Sequence, residues 1–341
     1  MIIKLRKNVD ASLQNQFIKA LAEKTGEYKY TVLNGVAYVI TTSGVIPGHL
    51  NGLPNREAVI EDLLLIPTEY QLSTRAFQAS NTIIDLGNGV IFGKNKTVMM
   101  AGPCAVESES QAMNTAEFLV STFDIKVFRA GVFKPRTSPY SFQGLEHDGL
   151  RILEKVRDTF GVKIISEVKD QSHLNEVANV ADIIQIGTKS MYLFNLLADC
   201  GKLTKPIMLK RGFMSTLKEF LQAVDFIMAN GNPNVILCER GLRNFEPQTR
   251  FSLDICGAAL LKEISHLPLV LDPSHAMGRA AQVPLVAQAS AALEVDGLIV
   301  ETHPNPAEAK SDKEQALSFQ DFSVMMTKIR PICSAVGREL V

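Results

Sequence analysis

From about residue 97 onward, short apolar runs recur at a steady interval, with amphipathic stretches between them. The runs are VMMAG, KVFRAG, KIISEV, IIQIG, PIMLKRG, VILCERG, LVLDPSH and GLIVETH, and each has the length and content of a strand. Segments 144–159, 215–230 and 281–293 fall between them and read as helices. Eight strand–helix units in line predict an α/β fold, a (β/α)8 TIM barrel over 97–341. A doubly wound open sheet is the competing architecture, but no GxGxxG follows any strand. Pro103, Pro135 and Pro273 fall near strand ends, where a lost N–H costs little.

The first 73 residues have another rhythm. IIKL (2–5) reads as a strand, and Leu13, Phe17, Ala20 and Leu21 share one helical face. YKYTVL and VAYVIT flank Asn34-Gly35, a strong hairpin signal. Residues 56–65 read as a second helix and EYQLS as a last strand. The order β-α-β-β-α-β predicts a small α+β ferredoxin-like domain over 1–73. Residues 74–96 read as a connector ending in a second hairpin, IIDLGNGVIFG, turned at Asn88-Gly89.

Composition narrows the function classes. The chain has 341 residues, 46% hydrophobic, with 35 Lys+Arg against 36 Asp+Glu for a net charge of −1. No global charge draws it to nucleic acid or to a membrane surface. No run approaches the ~18 apolar residues of a membrane helix. MIIKLRKN has no long apolar region, so no signal peptide is expected. Five cysteines without a CxxC pair argue for reduced thiols and a cytoplasmic setting. A homo-oligomer, dimer or tetramer, is expected.

Candidate chemistry collects at the strand ends, which a barrel brings to one face. Cys104 lies in AGPCAVES, His275 ends LVLDPSH, Glu301 lies in GLIVETH and Asp312 comes eleven residues later. Taken singly, a buried Cys is usually core and a loop carboxylate usually solvated. Their shared position makes them a candidate site, and thiolate, imidazole and two carboxylates suit a borderline divalent cation. Manganese, iron, cobalt and zinc all fit that donor set. Basic residues share these ends: Arg129, Lys134, Arg136, Lys189, Lys210, Arg211, Arg240 and Arg243. Solvation alone gives Lys and Arg no reason to favour strand ends. Their convergence predicts a phosphorylated or carboxylated substrate and metal-assisted chemistry. His49, His147, His173 and His266 are expected at the surface or at helix ends, and His303 beside the cluster at most. Cys200, Cys238, Cys256 and Cys333 are expected as core thiols.

AGPCAVES, AGVFKPRTSPYSFQGL, ADIIQIG, LKRGFMSTLKEF, ILCERGLRNFE, DPSH and IVETHPNP…KSD together resemble 3-deoxy-D-arabino-heptulosonate 7-phosphate (DAHP) synthases, the type I beta branch above all. The match is dense over roughly 75–341. The N-terminal unit resembles the ferredoxin-like regulatory domain of some members. The resemblance implies condensation of phosphoenolpyruvate with erythrose 4-phosphate, the first step of the shikimate pathway toward aromatic amino acids. It implies Cys104, His275, Glu301 and Asp312 as metal ligands, and Lys210, His275 and Lys134 as catalytic residues. It implies Arg129, Lys134, Lys210 and Arg240 as phosphoenolpyruvate contacts, and Arg136, Thr137 and Ser138 as the erythrose 4-phosphate loop. An aromatic amino acid is implied as effector.

One departure stands out. Relatives read Ala-Arg-Asn after IIQIG, where this chain has Thr188, Lys189 and Ser190. Lys189 keeps the charge that would hold the phosphate but loses the planar fork. A related activity, 3-deoxy-octulosonate 8-phosphate synthesis, shares fold and phosphoenolpyruvate, but its loop reads Lys-Ala-Asn-Arg-Ser-Ser where this chain has KPRTS. A Schiff-base aldolase using Lys210 and a non-catalytic phosphometabolite sensor are the readings from other classes.

Overall fold

The computed structural model describes residues 1–41, 44–135 and 138–341. Strands β1 (Ile2–Leu5), β2 (Tyr28–Leu33), β3 (Val36–Thr41) and β4 (Ile60–Leu64) form an antiparallel sheet in the order β2-β3-β1-β4. Helix α1 (Ala11–Thr25) crosses between β1 and β2 and is capped by Asp10, whose side chain accepts from the Ser12 and Leu13 N–H groups. The run IIKL is apolar because both faces of β1 are covered. Ile3 and Leu5 pack with Phe17 and Leu21 of α1, while Ile2 joins the cluster shared with the barrel.

The expected second helix over 56–65 is only one turn, α2 (Arg56–Val59), before the chain straightens into β4. Pairing decides this: β1 offers a free edge, and Ile2, Ile3 and Lys4 align with Leu64, Leu63 and Asp62. EYQLS, expected as a strand, forms none. Its last N–H groups, from Gln71, Leu72 and Ser73, go to the Asp225 carboxylate.

The second hairpin forms, with β5 (Ile84–Asp85) paired to β6 (Ile91–Phe92). Then β7 (Lys96–Gly102), β8 (Val127–Arg129), β9 (Lys163–Val168), β10 (Ile183–Ile186), β11 (Ile207–Lys210), β12 (Val235–Glu239), β13 (Leu269–Leu271) and β14 (Gly297–Glu301) pair in parallel and in order, and β14 closes on β7. This is a (β/α)8 barrel. Helices follow each strand, among them α3 (Glu109–Phe123), α4 (Glu146–Phe160), α5 (Leu174–Val180), α6 (Phe194–Cys200), α7 (Leu217–Ala229), α8 (Ile255–Ile264), α9 (Pro273–Met277), α10 (Val283–Ala292) and α11 (Phe319–Ala335). A short β15 (Glu339–Leu340) adds to β7 from outside the ring. No described helix is long and apolar enough to cross a membrane.

Candidate active site and metal cluster

Inward positions follow the period of two along each strand. Val98 and Met100, Val127, Ile165, Ile183, Met208, Ile236 and Cys238, Val270 and Ile299 fill the barrel, with Ile84, Val90 and Phe92 of the hairpin packed into the same cluster. Two residues beyond these, the same parity carries Arg129, Glu167, Gln185, Lys210, Arg240, Asp272 and Glu301, all buried. The barrel interior is therefore apolar up to its C-terminal rim and charged there.

At that rim one ligand atom each from Cys104, His275, Glu301 and Asp312 lies within 4.8 Å of all the others. The thiol and each of the two carboxylates have a cation beside them. Lys134 Nζ lies 3.1 Å from Cys104 Sγ, Arg129 Nη1 donates to Glu301 Oε1 at 2.7 Å, and Arg250 Nη1 donates to Asp312 Oδ1 at 3.0 Å. The imidazole is matched the other way: His275 Nδ1 lies 2.8 Å from Asp272 Oδ2, which leaves Nε2 toward Glu301 at 3.3 Å. Asp272 also caps α9 by accepting the His275 N–H at 2.9 Å. The soft-to-hard donor set and its compactness fit a divalent metal ion.

Burial dominates the proton affinities. It pushes the Cys104 thiol up to about 12, helped by the Glu301 carboxylate. It lowers His275 despite Asp272 and Glu301, so the ring is neutral at pH 7. Burial would raise Asp272, Glu301 and Asp312, but in the acid range, where His275 is protonated, that imidazolium and the neighbouring cations hold all three below the ordinary carboxylate range.

Above the cluster opens a pocket lined by Arg129, Lys134, Lys189, Lys210, Arg240 and Arg250, with Glu167 and Gln185 between them. Lys210 Nζ donates to Asp272 Oδ2 at 2.6 Å. The Arg240 guanidinium lies 4.2 Å from the Phe251 ring centroid, and its buried Nε has no protein partner among the described residues. Lys189 donates to the Pro135 carbonyl at 3.0 Å. Arg136 and Thr137 lie outside the described residues. Ser138 follows them, its Oγ accepting from the Tyr140 N–H of its own turn at 3.3 Å.

Several expectations are corrected. Arg211, one residue past inward Lys210, faces the other way and pairs with Glu239 and Asp254 at 2.8 Å each. Arg243 is exposed over the Phe213 ring, outside the pocket. His266 is buried, joined to Thr82 Oγ1 at 2.7 Å and to the Leu72 carbonyl at 2.8 Å. Cys256 is exposed rather than a core thiol. His303, expected no closer than beside the cluster, is buried 3.5 Å from Glu107 and is not one of the four donors, in line with that expectation. Asp272, Glu167, Gln185, Arg250 and Gln315 escaped the sequence reading. Strand parity, counted two residues on from Val270, Ile165 and Ile183, would have found the first three.

A (β/α)8 barrel with a four-donor cluster fit for a divalent ion, lying under a polycationic pocket, defines a class of enzymes acting on phosphorylated or carboxylated small molecules. Residues 79–333 match the DAHP synthetase I family, and the chain belongs to that family. A phospho-2-dehydro-3-deoxyheptonate aldolase from Thermotoga maritima is 42% identical over 278 residues, 82% of each chain. A crystal structure of phospho-2-dehydro-3-deoxyheptonate aldolase (DAHP synthase) from Thermotoga maritima covers 100% of this chain and 98% of its own, with 35% identity and a TM-score of 0.79. A 2-dehydro-3-deoxyphosphooctonate aldolase from Francisella tularensis subsp. holarctica is 34% identical over 269 residues, 73% of this chain and 94% of that protein.

Proposed function

We propose that the chain condenses phosphoenolpyruvate and erythrose 4-phosphate to DAHP and inorganic phosphate. The observation that carries this reading is the stacking of a cation-lined pocket directly on the cluster of Cys104, His275, Glu301 and Asp312. Those four residues would hold a divalent ion, manganese, iron, cobalt or zinc, which when bound polarises the aldehyde oxygen as a Lewis acid.

The protein's own groups do the rest. Arg129, Lys134, Lys210 and Arg240 bind the phosphate and carboxylate of phosphoenolpyruvate, with Lys189 as a further point charge. Arg136, Thr137 and Ser138 bind erythrose 4-phosphate. The enol carbon attacks the aldehyde carbon, and Lys134 Nζ supplies the proton to the new hydroxyl. Water adds at the phosphate-bearing carbon, phosphate leaves with a proton from Lys210 Nζ, and the two protons the water loses as it becomes the keto oxygen restore Lys134 and Lys210. Asp272 holds Lys210 and His275 in register. The Asp272 contact also speaks against a Schiff base, because an ammonium bound to a carboxylate offers no lone pair.

The N-terminal unit is read as regulatory, with tyrosine or phenylalanine as effector. A groove of about 610 Å³ between β2, β3, residues 69–72 and α7 supports this, because it includes Tyr192 and Phe194, a few residues from pocket-lining Lys189. Half-exposed Tyr28, Tyr30 and Val32 on edge strand β2 support a homo-oligomer. A cytoplasmic setting is consistent with five free thiols.

The test is phosphate release from phosphoenolpyruvate with erythrose 4-phosphate, and in parallel with arabinose 5-phosphate, before and after chelation. Release with the four-carbon sugar phosphate, lost on chelation and restored by metal, is the expected result. Release with arabinose 5-phosphate alone overturns it in favour of the octulosonate reaction.

A further inference from the structure

Arg250 and Gln315 form a connected strut behind the metal cluster. Gln315 is buried, and its Nε2 donates to Glu301 Oε2 at 2.6 Å, while its Oε1 accepts from Arg250 Nη1 at 2.6 Å. The same Arg250 nitrogen donates to Asp312 Oδ1 at 3.0 Å. A carboxylate only accepts and a guanidinium only donates, so the amide between them has one orientation. The two carboxylates of the cluster, eleven residues apart in sequence, are thereby joined through a single amide and a single guanidinium.

The protein makes room for this link. Gly278 sits at φ 68°, and a Cβ there would lie 2.5 Å from Arg250 Cβ. The backbone of the Arg250 segment is docked on the end of α9, with the Phe251 N–H donating to the Ala276 carbonyl at 2.9 Å. Asp312 has φ 52°, in the left-handed region that Asp visits more readily than most residues. Arg250 and Cys104 Sγ, 2.9 Å from Asp312 Oδ2, fix its carboxylate there.

We infer that Arg250 and Gln315 are positioning residues for the metal: together they set the spacing of Glu301 and Asp312 and so fix the affinity of the site. Arg250 also lines the substrate pocket, so the strut ties the loop after β12 to the cluster. The inference rests on the metal reading of this site but not on the identity of the reaction.

The experiment is competition between the purified full chain and a fluorescent chelator for Mn²⁺ and Zn²⁺, with the melting temperature of the metal-free protein recorded alongside. Arg250→Ala and Gln315→Glu should each raise the metal Kd by roughly 10- to 100-fold. Gln315→Glu keeps the shape and the Arg250 contact but sets a carboxylate against Glu301, so it tests the strut without a cavity. Arg250→Lys should recover part of the loss, and the metal-free Arg250 variants should melt near the parent, whereas metal-free Gln315→Glu should melt lower because two buried carboxylates then meet. If either Arg250→Ala or Gln315→Glu binds metal within about twofold of the parent, the strut is refuted. A parent protein that binds neither ion would instead refute the metal reading itself.

Discussion

Lys210 Nζ lies 2.6 Å from Asp272 Oδ2, across the barrel interior from the end of β11 to the end of β13. Both belong to alternate strands of one inner layer, so the contact follows from the barrel's own geometry. The pair is buried, with side-chain exposures of 5% and 1%, and His275 leans on the same carboxylate oxygen.

Breaking that pair from one side leaves a buried ammonium without its partner. Asp272→Ala should lower stability by about 3–5 kcal/mol, whereas replacing both partners by Leu and Met should cost much less. Urea unfolding of the single and double variants measures this. Equal midpoints for the two would show that the ion pair is not a coupled unit. Borohydride in the presence of substrate should trap no adduct on Lys210 in the parent protein.

Metal binding should release a proton. The metal-free Cys104 thiol is raised to about 12, so it is protonated at pH 7 and must lose its proton to become a ligand. His275 is lowered and already neutral, so it releases none. Affinity should therefore climb with pH, about tenfold per unit below the thiol range. Calorimetry in buffers of different ionisation heat counts the protons. Release near one in the parent and near zero in Cys104→Ala is expected, and zero in both contradicts a thiolate ligand. Cys104→Ala should also lose turnover while keeping its fold, because barrel stability resides away from the loop face.

What could be read from the sequence follows physical lines. The barrel strands were legible because both faces are covered, which makes them continuous apolar runs between amphipathic helices. Residues 60–64 were not, since REAVIEDLLL carries no signal that β1 offers an open edge to pair with. The C-terminal strand ends located the cluster and most of the pocket. Arg250 and Gln315 stayed hidden because they come from loops, where no periodicity reports direction. Arg211 was misjudged although parity was available: it follows Lys210 by one and so points to the opposite face.

Lys189 stands in the pocket lining as a point charge, without the planar fork an arginine would offer there. Lys189→Arg should lower the phosphoenolpyruvate KM, by a gain of about 1–3 kcal/mol at most, the worth of one charge-assisted hydrogen bond. The erythrose 4-phosphate KM should hardly move. An unchanged or raised phosphoenolpyruvate KM would mean that Thr188 and Ser190 have shaped the pocket around lysine.

The N-terminal unit should be separable, but the cut must respect the linker. The N–H groups of Gln71, Leu72 and Ser73 all donate to Asp225, and the Leu72 and Ser73 carbonyls accept from His266 Nε2 at 2.8 Å and Ser265 Oγ at 2.7 Å. These residues are part of the barrel's own hydrogen-bonding, although they precede its first strand. Removing residues 1–65 should leave an active barrel that no longer responds to tyrosine or phenylalanine, while the full chain is inhibited by at least one of them. Removing 1–73 strands the Asp225 carboxylate and should cost a further 1–3 kcal/mol or so of stability. Thermal melts and rates at millimolar amino acid, run on all three proteins, decide both points. Equal melts for the two truncations would show that water replaces the linker at Asp225. A full chain indifferent to both amino acids would show that the domain responds to some other ligand or only braces the barrel.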